Sequence, residues 1–535
     1  MKYIKTSCAL ILVVTALAIS LRLPYLKQRP IHCDEAAHAL KFGELLEQGV
    51  YRYDYHQYHG PTLNYLTLIP AWLSSAENLT DVTEFTVRIV PVFFGVLLVL
   101  MLILLADGLG PAAALFAAVL TAVSPAFVFY SRYYIQEMLL VCFTFGLITC
   151  FWRYTRTKNI IWAVITGVFV GLCHATKETC IIIFAAMLLA GVLTFLMHRW
   201  QSRPFDFSET FKKINRLHLF AGIAAAVIVS VLFFSSFLTN PAGILDSFRA
   251  YVPYFSRAGD NILHIHPWYY YLKMLIYSRY YWGPIWSEAF VVLLAVIGFI
   301  VVMTGKRLPA GVNINLLRFI GLYTQILTVI YSVIPYKTPW CMLGFLHGMI
   351  LLAGLGAIVM IKLMPKTSGR MVFVLLLVGG AGHLLWQSYL ANYRYFADSS
   401  NPYVYAHPTM DIFAITRQIE DISEVHPDGY NMRIDIICPD DDYWPLPWYL
   451  RNFTNVGYWS KVDYDVPAAP VILASPAVEP DLLKKLYELP PPGRRTLYLP
   501  LFDSYMELRP QIELEGYITK DLWDLYQQNQ IQPAQ

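Results

Sequence analysis

The sequence predicts an α-helical polytopic membrane protein that ends in a small α/β domain. Three observations predict it: 57% of the 535 residues are hydrophobic against 14% charged, apolar runs of bilayer length recur from the N-terminus to about Leu390, and beyond it they stop. That charge density is roughly half the soluble norm, and crossing the hydrocarbon takes about 20 apolar residues. The chain therefore divides into a membrane domain, 1–394, and a soluble α/β domain, 395–535. A net charge of +3 is too small to point to nucleic acid as a partner, so the placement of the basic residues carries the information.

The first apolar run, Ser7 to Leu21 after Lys2 and Lys5, has the outline of a secretory signal. No A-x-A site follows, and the chain continues into Arg22, Pro24 and an acidic segment, so an uncleaved first span over 6–23 is predicted. Further spans are predicted at 87–106, 111–130, 138–153, 160–175, 179–197, 218–238, 284–303, 316–335, 340–361 and 371–391. Pro61 to Ala76 is short and holds an internal proline, and it is read as an interfacial helix. Cys142, Cys150, Cys173, Cys180 and Cys341 lie in or beside apolar runs and read as small buried hydrophobes, not as a disulfide framework.

With Pro61 to Ala76 outside the membrane, one set of loops collects Lys2 and Lys5, Arg153/Arg156/Lys158, Arg199/Arg203/Lys212/Lys213/Arg216, Lys306/Arg307 and Lys362/Lys366/Arg370. The positive-inside rule makes that set, and the N-terminus, cytoplasmic in a plasma-membrane protein. The opposite set holds the long segments 24–86 and 239–283 and three short turns with single cations, Arg132, Lys177 and Lys337. The C-terminal domain is then extracytoplasmic too. In it, Met432 to Cys438 and Pro470 to Ala474 read as buried strands, and Met410 to Ile422 and Asp481 to Leu489 as helices.

Chemistry-bearing residues gather on that outer side. Asp34 and Glu35 follow the first span, and His38 shares a helical face with Glu35, so one acid can face a site while the other orients it. An Asp helix cap with a solvated Glu is the plain alternative. Tyr51 to Pro61 (YRYDYHQYHGP) brings Tyr58 and His59 before the interfacial helix, as a pocket lining or as an aromatic belt. Ser131 to Glu137 (SRYYIQE) returns Arg132 and Glu137 to the same side, either as site residues or as an ion pair fixing the turn. Lys177 and Lys337 stand in two more turns, either to hold a departing phosphate or to snorkel. Asp440 to Asp442 can be a cation site or a solvated turn, so a divalent cation is left open and no cofactor is assigned.

The acidic pair, HGP-x-L-x-Y-L, Phe85 to Pro91 (FTVRIVP), Ser124-Pro125 seven residues before SRYYIQE, and ATKET together resemble the GT-C superfamily of membrane glycosyltransferases. The protein O-mannosyltransferases and lipid A aminoarabinose transferases are similar. The flippase activity-associated family is closer, because YKTPW, NPYVYAH and DYWPLPWYLRNF also resemble its outer turn and tail. The resemblance implies a GT-C-like bundle of about 11–13 spans, Asp34 as catalytic base beside Glu35, Glu137 as the acid of the second loop and Arg132 as the cation before it. It implies a polyprenyl- or dolichyl-phosphate sugar as donor, a membrane-lipid setting, and inverting transfer to a protein, lipid or polysaccharide.

A lipid-linked sugar flippase is the second reading, and it requires ionisable groups buried along a path between leaflets. The predicted spans carry few at mid-depth, His174 and Gln325 being the exceptions. A non-catalytic partner in glycan assembly is the third.

Overall fold

The computed structural model describes residues 2–201, 215–253, 264–280 and 282–531. Arg203, Lys212 and Lys213 of the expected basic loop lie outside the described residues. α1 (Lys2–Arg22) leads into a long loop holding α2 (Cys33–Gln48) and α3 (Thr62–Leu73). There follow α4 (Glu84–Leu100), α5 (Pro111–Val123), α6 (Pro125–Tyr130), α7 (Glu137–Thr157), α8 (Ile160–His174), α9 (Cys180–Gln201) and α10 (Arg216–Phe234). A second loop holds α11 (Ala242–Arg249) and α12 (Tyr270–Ile276), before α13 (Ala289–Thr304), α14 (Ile314–Val333), α15 (Leu343–Leu363) and α16 (Thr367–Tyr389).

Among the described residues eight helices are long and apolar enough to cross a membrane, and the shorter apolar helices α5, α8 and α13 stand where the other three spans are expected. The chain is a multi-pass membrane protein. Helix α3 has 12 residues, about 18 Å at 1.5 Å per residue, so it cannot cross roughly 30 Å of hydrocarbon. The expected single span over 111–130 is two helices. Pro125 lacks the N–H that would continue α5 and opens α6 instead, where the Ser124 hydroxyl caps the Phe127 N–H at 3.4 Å.

Small residues bring the helices close, as packing in lipid requires. A Cβ on Gly298 of α13 would stand 2.1 Å from the Leu352 carbonyl oxygen of α15, and one on Gly356 2.1 Å from the Leu294 carbonyl oxygen. At one end of the bundle Arg153 pairs with Asp107 at 3.0 Å, and the Asn313 N–H donates to the Gly108 carbonyl at 2.9 Å. This is the end of the expected basic loops.

Beyond α16 come α17 (Asp411–Val425), a mixed six-stranded sheet and α18 (Lys520–Ile531). The strands are β1 (Ile434–Ile437), β2 (Val456–Trp459), β3 (Val471–Ala474), β4 (Tyr498–Pro500), β5 (Met506–Arg509) and β6 (Ile512–Thr519). β1 lies between β2 and β3 and is parallel to both, and β6 pairs antiparallel with β3, β4 and β5. The buried β1 and β3 are the two strands predicted; β2 and β4 to β6 are additional.

The tail packs directly on the bundle. Trp448 Nε1 donates to Glu84 at 2.8 Å, Arg451 to the Val82 carbonyl at 3.0 Å, and the Tyr449 hydroxyl accepts the Ile31 N–H at 2.8 Å. One continuous apolar core joins the α/β layer to the membrane helices.

Candidate active site

Helix α2 aims the acidic pair. His32 is its N-cap: Nδ1 accepts the Asp34 N–H at 3.0 Å, while Glu35 reaches back to the His32 N–H at 3.0 Å, forming a reciprocal capping box. His32 Nε2 lies 3.0 Å from the Tyr405 carbonyl of the tail, so the ring is neutral with its proton on Nε2. Burial also pulls its pKa below the ordinary histidine value.

The two acids of the pair have opposite fates. Glu35 is fully buried. Arg88 of α4 grips it in two bonds, Nε to Oε1 at 2.8 Å and Nη2 to Oε2 at 2.7 Å, and the Tyr134 N–H donates to Oε1 at 2.8 Å. Burial works against the charge, but Arg88 and Arg29 outweigh it and hold the carboxyl down at about 2. Asp34, one residue earlier, keeps its side chain 48% exposed, and its only ion-pair contact among the described residues is His32 Nδ1 at 3.9 Å, a nitrogen already engaged.

Around Asp34 stand rings from four segments. Tyr133 packs on His32 at 5.3 Å and on Trp340 at 5.6 Å. Trp340 meets Tyr405 at 5.9 Å, and the Tyr405 hydroxyl lies 2.6 Å from His264 Nδ1. Tyr336 and Tyr405 are pushed up to about 12, first by burial and then by the charge of Asp34. The charge of Lys177 opposes that rise at Tyr336.

A second cluster adjoins. Lys177 and Glu137 form a buried ion pair, and Glu137 overcomes the cost of burying the ammonium to raise its pKa. Glu178 accepts from the Tyr53 hydroxyl at 2.9 Å and pairs with His59 at 2.7 Å; burial opposes its charge, but His59 brings it to about 2. His38 sits between the clusters, 3.3 Å from the Gln136 amide and 6.1 Å from the His59 ring. Burial, then His59, lowers it to about 3, so it is neutral. Tyr58 packs at 6.4 Å from His38 and 5.1 Å from the Lys41 ammonium.

Asp34, Glu35, His38, Tyr58, His59, Glu137 and Lys177 are thus gathered at one end of the bundle. Lys337 is close by: its ammonium donates to the Ile334 carbonyl and, at 3.1 Å, to that of His266. Arg132 is not brought in. Its guanidinium donates to the carbonyls of Arg22 and Pro24 at 3.1 and 2.7 Å, to that of Tyr25 at 3.2 Å and to the Tyr393 hydroxyl at 3.2 Å, tying the end of α1 to the end of α16, and it makes no pair with Glu137. Among the described residues no three His, Cys, Asp or Glu side chains form a metal-ligand set, and Asp442 is tied to Arg509 at 2.7 Å.

Residues 60–240 match the family described as dolichyl-phosphate-mannose-protein mannosyltransferase. The structure is similar to ArnT from Cupriavidus metallidurans bound to undecaprenyl phosphate, with a TM-score of 0.60, 16% identity, and 95% of this chain and 97% of the other covered. The apo form of that protein gives a TM-score of 0.58 at the same identity and coverage. The chain has a GT-C-like fold. No curated protein matches it in sequence.

In this GT-C-like bundle the residues that reading of the sequence missed are anchors and walls. Arg88 sits inside FTVRIVP, and a lone arginine in an apolar span is a signal for a buried partner. Glu178, Tyr405 and His264 were visible only as members of aromatic or charged runs, and which of them meet depends on the tail folding back.

Proposed function

We propose that the chain transfers a sugar from a polyprenyl-phosphate-linked donor to an acceptor at the Asp34 end of the bundle, with inversion, and that this end faces outward. The observation that carries the proposal is the division of labour in the acidic pair. Glu35 spends both oxygens on Arg88 and backbone N–H groups, leaving Asp34 half exposed among tyrosines and histidines from the outer loops and the tail.

Asp34 takes the proton from the acceptor as its nucleophilic atom attacks the anomeric carbon. The bond from that carbon to the phosphate oxygen breaks, and the electron pair leaves on the polyprenyl phosphate. The site supports this step twice over. An unpaired carboxylate has the oxygen lone pairs a general base needs, and cations at membrane depth stabilise the charge that grows on the phosphate. Lys177 is held ready by Glu137, and Lys337 has one ammonium proton beyond the two carbonyls it serves. Glu35 and Arg88 position Asp34. Arg132 supports the site by fixing the end of α1.

The test is a strain lacking the gene. Mass spectrometry of its envelope glycans should show a missing sugar, and the lipid-linked donor should accumulate on the outer face. A flippase would leave the donor on the cytoplasmic face instead, and that result sinks the transferase reading.

A further inference from the structure

A large cavity lies at the opposite end of the bundle from Asp34. It has a volume of about 800 Å³ and opens between α7, α9 and α14, with Phe151, Trp152, Leu188, Phe195, Leu316 and Phe319 among its walls. Helix α7 begins at Glu137 in the Asp34 cluster, and its lining residues start ten positions on. At about 1.5 Å per residue the cavity reaches roughly 15–27 Å below that cluster, in the other half of the bilayer.

The lining is apolar except near the basic-loop end. There the Thr194 hydroxyl, in a residue 8% exposed, and the Asn315 side-chain oxygen are buried with no hydrogen-bond partner among the described residues. Unpaired polar atoms in an apolar wall are destabilising unless a ligand supplies the partner. Two arginines stand one helical turn beyond the last aromatic walls: Arg156 follows Trp152 by four residues and stacks over it at 5.7 Å, and Arg199 follows Phe195 by four. Both are exposed.

We propose that this cavity is a binding site for an anionic phospholipid of the leaflet opposite the Asp34 site. One acyl chain fills the apolar part, the glycerol-ester oxygens meet Thr194 and Asn315, and the phosphate lies against Arg156 and Arg199. An acyl chain matches an apolar volume walled by three helices, and the ester level of a lipid is where polar atoms stand beside hydrocarbon. The ordering of apolar, polar and cationic surface from mid-membrane to the basic loops fits a lipid whose head group is at that end. A donor with its phosphate at the Lys177 level would run the other way, with only its chain here and nothing for the arginines.

The test uses the full-length protein in nanodiscs of phosphatidylethanolamine and phosphatidylglycerol, released into the gas phase for native mass spectrometry. A phospholipid adduct should be retained, with phosphatidylglycerol several-fold over phosphatidylethanolamine. Gly191 lines the cavity, and a Cβ built there meets no atom within 4 Å, so Gly191→Phe starts in open space and takes up cavity volume. The adduct should be lost in Gly191→Phe and reduced in the milder Gly191→Leu, while the thermal midpoint of both is unchanged or raised. Arg156→Gln with Arg199→Gln should retain the adduct and abolish the headgroup preference. No adduct, an adduct indifferent to both Gly191 variants, no headgroup preference in the unaltered protein, or an adduct that proves to be an isoprenoid phosphate would each overturn the proposal.

Discussion

Arg88→Met gives a quantitative test of how the site is held. Arg88 spends all five of its N–H groups: two on Glu35, and one each on the carbonyls of Leu26, Arg29 and Pro30 at 2.7, 2.8 and 3.1 Å. Methionine fills similar space and supplies no donor. Glu35 would keep only the Tyr134 and His32 N–H groups and Arg29 at 3.7 Å. Breaking a buried pair from one side costs about 3–5 kcal/mol, which at 1.4 kcal/mol per tenfold is roughly a 100- to 4,000-fold loss in the folding equilibrium. Equilibrium unfolding in mixed micelles, followed by tryptophan fluorescence, reads that loss. The double variant Arg88→Met/Glu35→Met removes both charges, and its cost should fall below the sum of the two single variants by at least about 1 kcal/mol. Arg88→Met as stable as the unaltered protein, or strict additivity, would refute the claim that Glu35 is an anchored carboxylate.

Acid should destabilise the fold in two stages. His38 titrates at about 3 when folded against an ordinary 6.5, so below pH 6.5 the unfolded chain binds the extra proton and stability falls as pH drops toward 3. His32 acts in the same direction, and each histidine contributes at most about 1.4 kcal/mol per pH unit. Glu178, at about 2, adds stability that is present above pH 4.5 and lost as pH falls through 2; a thermal midpoint indifferent to pH between 7 and 4 would contradict the burial of these histidines. Glu137→Gln leaves the Lys177 ammonium buried without its counter-charge and should cost about 3–5 kcal/mol, with sugar transfer lost where the protein still folds. Tyr405→Phe removes the partner of His264 and should slow transfer about 2- to 10-fold, the equivalent of one hydrogen bond, with the unfolding midpoint lowered by no more than that one bond is worth; an unchanged rate would take Tyr405 out of the site.

Much of the membrane part could be read in advance because the bilayer imposes one solution. A segment in hydrocarbon must satisfy its own backbone, so helix length and composition nearly decide the matter, and the eleven predicted positions all carry apolar helices. The break at Ser124-Pro125 was in view as a proline, and its effect on the helix was the part left unread. The acidic pair was legible as a candidate and the family resemblance singled out Asp34, but the residues themselves did not say which acid would be free. That depends on Arg88, 53 residues away from Glu35, and on the N–H of Tyr134, 99 residues away. Arg132 was placed among substrate ligands because it precedes Glu137, yet the turn points it back at the end of α1. In the tail, β1 and β3 are continuous apolar runs and were found; β2, β4 and β5 are short and half exposed, and β6 owes its pairing to three partner strands distant in sequence or short, β3 on one edge and β4 and β5 on the other.

The account stands on Asp34 being the base. Asp34→Asn keeps the size and the helix position of the side chain and removes its charge, and among the described residues no ion pair depends on it beyond the loose approach to His32. Returned to a strain lacking the gene, Asp34→Asn should reach the membrane and unfold at the midpoint of the unaltered protein, while mass spectrometry finds the envelope sugar still missing. Restoration of that sugar by Asp34→Asn would contradict the assignment.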